Sequence, residues 1–123
     1  MHLVLLFLVG GCGCLARYAA SGLVHRLYGG ELPLGTFVVN IVGCALFGFV
    51  WTLADERMLI SSQTRTLILT GFMGSFTTFS TFAFESNALL RDAQWAIAAG
   101  NVGCHCVIGI LAIALGMAVG RQL

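Results

Sequence analysis

Charge is what this sequence has least of. Its 123 residues include no lysine, and the charged types together make up 9%. A soluble domain typically carries about 25% of such residues, so a water-facing surface all round the chain is excluded. A net charge of +1 leaves no basic footprint for nucleic acid and nothing to attract an acidic soluble partner. There is one proline, Pro33, and no linker-like or low-complexity run, so residues 1–123 read as a single domain. No nucleophile–base pair with a supporting acid is visible, which argues against an enzyme. The five cysteines are odd in number, and Cys12, Cys14, Cys44, Cys104 and Cys106 all lie in apolar runs. That is not the loop-borne framework of an oxidising compartment; they read as small, polarizable packing residues. Positions i and i+2 on a helix point about 200° apart, so neither Cys12 with Cys14 nor Cys104 with Cys106 chelates a metal from one helix.

Hydrophobic residues, at 59% with a mean hydropathy of +0.96, make the bilayer the solvent for most of the chain. A spanning helix needs roughly 20 mainly apolar residues, and four fit here, over about 3–27, 33–54, 66–90 and 95–119. The first has no basic region before it and three apolar stretches after it, so it is expected to anchor rather than to be cleaved. Pro33 is placed to open the second span, and Ser61 or Ser62 to cap the third. Cys44 with Gly48, Gly100 with Cys104, and Gly116 with Gly120 are small pairs at helical spacing, suited to close helix approach in lipid.

Four spans put both termini and the middle loop on one side. That side holds Arg57, Arg65 and Arg121; the other holds Arg26 and Arg91, with Arg17 inside span one. Orientation follows an excess of Lys and Arg on the cytoplasmic side, and there is none. The chain is therefore predicted to insert both ways and to pair as an antiparallel homodimer.

The third span is the unusual one. Gly71 to Phe82 contains two glycines, three threonines and two serines, all poor mid-helix choices. Their hydroxyls suit backbone groups freed by a break, predicted around Gly74 to Thr78. Half-helix N-termini there would hold anions and freed carbonyls would hold cations. Phe79 and Phe82 share a helix face at i,i+3 and can turn their positive ring edges to an anion. Ser80 and Thr81 between them can donate hydrogen bonds, and Glu85 is an ionisable group in a span, a functional candidate by default. Asn40 brings the only amide of span two, and Arg17 the only strong charge of span one. Asn101 and His105 form a polar stripe along span four, and His105 is a further candidate for the ion pathway.

These residues resemble the Fluc (CrcB) fluoride channels. Thr77-Thr78-Phe79-Ser80-Thr81-Phe82 looks like the family's signature, and two further blocks agree: Gly10 to Tyr18 around Arg17, and Pro33 to Gly43 around Asn40. The resemblance covers essentially the whole chain. It implies an all-α, four-span, dual-topology homodimer in the bacterial inner membrane, passing fluoride passively outward, with a central sodium ion that is not transported. Gly74 and Thr77 would give backbone carbonyls to the sodium. Phe79 and Phe82 would gate the pore, Asn40 would line it, Thr36, Ser80, Thr81 and Glu85 would form a polar track, and Arg17 would sit at the vestibule. Span four departs from the pattern: Asn101 and His105 stand where an aromatic hydroxyl and a serine are expected, and Ala83 where a serine is common. A proton-coupled exporter of the small multidrug type is the rival reading, but it needs a glutamate in span one, where this chain has Arg17. A structural subunit of a larger membrane complex would need no polar mid-span segment.

Overall fold

The computed structural model describes residues 2–30 and 32–123, and among them every regular element is helical. Helix α1 runs His2–Tyr28 and α2 Leu34–Trp51, the latter continuing as a π-helical turn over Thr52–Glu56. Helix α3, Ser62–Thr66, continues as a π-helical stretch over Leu67–Met73 and then as the single turn α4, Gly74–Phe76. Helix α5 runs Phe79–Arg91 and α6 Trp95–Gly120. Four stretches are long and apolar enough to cross a membrane: His2–Tyr28, Leu34–Glu56, Ser62–Arg91 and Trp95–Gly120. Few large side chains are buried within the chain, and residues such as Phe7, Ile110 and Leu111 stand well exposed, as they must when lipid rather than an interior takes the apolar surface.

The ends of these helices follow from local chemistry. Helix α1 stops at Gly29, whose positive φ of 47° lets its N–H close back on the His25 carbonyl. Pro33 stands immediately before α2, where a missing N–H costs nothing. Ser61 is the cap of α3, its hydroxyl accepting from the Thr64 N–H. Asp55 and Glu56, expected in the aqueous loop, instead extend the second long helix, although both stay exposed. Each finds an arginine: Arg65 reaches Asp55 at 2.8 Å, and Arg121 grips both oxygens of Glu56 at 2.7 and 2.9 Å. The hydrogen bond and charge of Glu56 raise the Arg121 guanidinium further above its already high range. With His2 against Gln63, these pairs gather both chain ends and the middle loop at one end of the bundle.

The principal packing is α2 on α6. Gly48 lies against the backbone of Ile113, and Gly116 against that of Ala45, so closely that a Cβ at either would overlap backbone atoms. Small residues permit this approach, and in lipid dispersion between such backbones replaces the hydrophobic drive. Helix α1 packs on the π-helical Leu67–Met73 stretch, on α2 and on α4, while α5 leans on α6. The resulting arrangement holds the short α4 and the start of α5 beside the middle of α2.

Candidate functional site

Between α4 and α5 the backbone leaves helical geometry at two residues, Thr77 (φ −83°, ψ 159°) and Thr78 (φ −150°, ψ 108°). Gly74 to Phe76, expected to share this irregular conformation, are helical. The Thr77 N–H and hydroxyl both close on the Met73 carbonyl, at 3.0 and 2.9 Å. Thr78 then caps α5: its hydroxyl oxygen accepts the Thr81 N–H at 3.2 Å and donates to the Thr81 hydroxyl at 2.9 Å. Threonine suits both positions because its hydroxyl offers a donor and an acceptor to backbone that has lost its ladder.

Two neighbouring helices secure these residues. The Asn40 amide of α2 pairs with Thr78 on both sides of one residue, its Oδ1 accepting the Thr78 N–H at 2.8 Å and its Nδ2 donating to the Thr78 carbonyl at 3.2 Å. In a continuous helix that N–H would serve the Gly74 carbonyl. Arg17 of α1 donates from Nη1 to the Thr77 carbonyl over 3.4 Å. Gly43, one turn after Asn40, lies directly against the Thr77 methyl, where a Cβ would not fit.

Beside this junction a cleft of about 980 Å³ opens between α1, α2 and α5, lined among others by Arg17, His25, Thr36, Thr81, Glu85 and Asp92. Thr36 is buried in its wall and donates to Glu85 Oε1 at 2.7 Å, while Glu85 Oε2 is buried without a partner. Of the candidate residues from the sequence, Arg17, Thr36, Thr81 and Glu85 therefore share one cleft. Phe79 and Ser80 do not line it. Phe79 is 79% exposed at the start of α5, with its ring centroid 5.5 Å from that of Phe82. Phe82 points the other way, onto His105 of α6, at 4.3 Å between ring centroids. Gly74 sits exposed.

The structure adds residues that the sequence did not single out. Ser86 is buried on α5, donating to the Phe82 carbonyl at 2.8 Å and accepting from Asn101 Nδ2 at 2.9 Å. Phe37 of α2 meets the other side of His105 edge-on, at 5.1 Å. A hydroxyl within a span was the available signal for Ser86; nothing in the sequence distinguished Phe37 from the other phenylalanines.

An all-helical chain of four long apolar stretches, with a polar, clamped irregularity among them, is in class a small multi-helix membrane protein. Residues 4–117 match the family model described as CrcB-like protein, Camphor Resistance (CrcB), and the chain belongs to that family. It is 50% identical over 114 residues to a protein of Nitrosococcus oceani named fluoride-specific ion channel FluC, covering 93% of this chain and 91% of that one. A protein of Solidesulfovibrio magneticus with the same name is 50% identical over 116 residues, with 94% and 93% covered. A third so named, from Maridesulfovibrio salexigens, is 47% identical and spans all of this chain and 98% of its own.

Proposed function

We propose that this chain is a fluoride-specific ion channel of the bacterial inner membrane, letting fluoride leave the cell passively as half of an antiparallel, dual-topology homodimer. The observation that carries the reading is the end-to-end identity of about one residue in two to relatives named for that activity, joined to the clamp of Asn40 on Thr78. In this reading Ser62–Arg91 is one span, interrupted near the membrane middle at Thr77 and Thr78. Irregular backbone at that depth needs cover by protein or a water-filled cavity, and both Asn40 and the Arg17 cleft supply it.

Fluoride is small and tightly hydrated, so a pathway must replace its water with donors. The second Nδ2–H of Asn40, the Ser80 and Thr81 hydroxyls, and the positive edges of Phe79 and Phe82 are suitable groups. Arg17 at the cleft concentrates anions from water, and Thr36 holds Glu85 by its Oε1. His105 stands behind Phe82 on the same route. The exposed Phe79 faces outward, where a second, inverted copy would cover it.

A sodium ion at the interface of the two copies fits this chemistry. Sodium favours oxygen ligands, and the interruption offers two carbonyls: Gly74's, because Asn40 takes the N–H of Thr78, and Thr77's, whose extended backbone leaves it only the long 3.4 Å contact from Arg17. When bound, the ion would hold the two interruptions together without being transported. Replacing Phe79 or Phe82 with Ile keeps bulk and removes the ring edges. Each variant should lose most fluoride efflux from reconstituted vesicles while still purifying as a dimer; unchanged efflux in both contradicts the assignment.

A further inference from the structure

His105 is held in an arrangement that a packing residue does not need. Its Nδ1 lies 2.9 Å from the Asn101 carbonyl one turn earlier. A carbonyl only accepts, so Nδ1 carries the hydrogen and Nε2 of the neutral ring is a bare lone pair. That Nε2 is buried with no partner, with Phe82 against one part of the ring and Phe37 against another. An unpaired buried polar atom is costly, and the fold keeps one beside the residue assigned to the gate.

The groups facing this imidazole are few. From α5, Glu85 stands about one turn beyond Phe82, and its Oε2 is itself buried and unpartnered. The other charge on α5, Arg91, ends that helix almost two turns beyond Glu85. Helix α2 presents Phe37 and has no charged residue; its one titratable group, Cys44, lies against Gly109, a turn beyond His105. A lone pair at Nε2 repels an anion. A proton there supplies both a donor and a positive charge, and it either neutralises a charged Glu85 or adds attraction beside a neutral one. Both cases have the same sign.

We propose that His105 is an anion-binding group of the pathway that works only when Nε2 is protonated, so that one proton, taken from water and returned to it, opens this chain to fluoride. The proposal rests on the fluoride-channel reading. The test uses the full chain in vesicles of phosphatidylethanolamine and phosphatidylglycerol, with equal pH inside and out. Fluoride efflux is followed across the range of about pH 5 to 8 in which imidazoles change charge, and the hydrogen fluoride leak of protein-free vesicles is subtracted. An imidazole passes from about one-tenth to nine-tenths charged over two pH units centred on its midpoint, so wild-type flux should rise about tenfold on acidification. His105→Gln, an amide that does not titrate, should conduct with a flat profile. If both chains conduct with one shared profile, the proposal fails while the channel reading stands; if neither passes fluoride at any pH, both fail. A second measurement needs no transport. With ¹⁵N-labelled histidine, the signal absent from His105→Gln identifies the ring, and fluoride but not chloride should raise its titration midpoint. An unmoved midpoint overturns the proposal.

Discussion

Asn40 holds the donor and the acceptor of one peptide residue, Thr78, with one planar amide. No smaller side chain does this, and no carboxylate does both halves. Asn40→Ala should leave the Thr78 N–H without a partner and cost about 1–3 kcal/mol, read as a lower unfolding temperature in detergent, together with most of the fluoride flux. Asn40→Asp keeps only an acceptor and adds an unpaired charge beside an anion route, so it too should lose flux. An unfolding temperature unchanged in Asn40→Ala contradicts the clamp. The sequence showed that an amide in span two and a Thr-rich run in span three were out of place in lipid. It could not show that the two meet across 38 positions, because helical spacing says which residues share a face and not which helix that face meets. The same limit hid the reach of Arg17 to the Thr77 carbonyl. His105 was visible as a polar residue, whereas its locked tautomer depends on a turn of backbone geometry.

At the scale of elements, the turn between α5 and α6 closes by two backbone bonds, Ala93 N–H to the Leu90 carbonyl and Gln94 N–H to the Leu89 carbonyl. This closure places Ala93 in left-handed backbone at φ 58°, where a Cβ is costly. Ala93→Gly should therefore stabilise the protein by about 1 kcal/mol, seen as a higher unfolding temperature with flux unchanged. The small residues of span four divide sharply. Gly116→Leu would drive a side chain into the Ala45 backbone and should abolish a folded, monodisperse product, whereas Gly100, with nothing near it, should accept Ala silently. Both glycines belong to similar sequence patterns, and Gly116 with Gly120 had the spacing of a dimerisation motif. The contacts of both lie with α2 and the turn that continues it, inside one chain. The existence of four spans was legible because twenty apolar residues in a row have few alternatives in water. The π-helical stretches were not, since neither Thr52–Glu56 nor Leu67–Met73 carries a residue spacing that sets it apart from α-helix.

For the whole molecule, the arginines matter by their position. Arg57, Arg65 and Arg121 lie at the end that gathers both termini and the middle loop, against Arg26 and Arg91 at the other. Orientation responds to such counts, so two added lysines at one end, Ser62→Lys with Gln63→Lys, should fix a single orientation in reporter fusions. That chain alone should lose fluoride flux, and a chain fixed the opposite way should restore it on coexpression. Flux from a chain held in one orientation contradicts the antiparallel pair. The central claim, that this protein is a selective path for fluoride, is tested most directly by ion efflux from vesicles containing the purified protein, read with a fluoride electrode and repeated with chloride. The account expects fluoride to empty from protein-bearing vesicles while chloride stays inside. Retained fluoride, or chloride leaving equally fast, would contradict it.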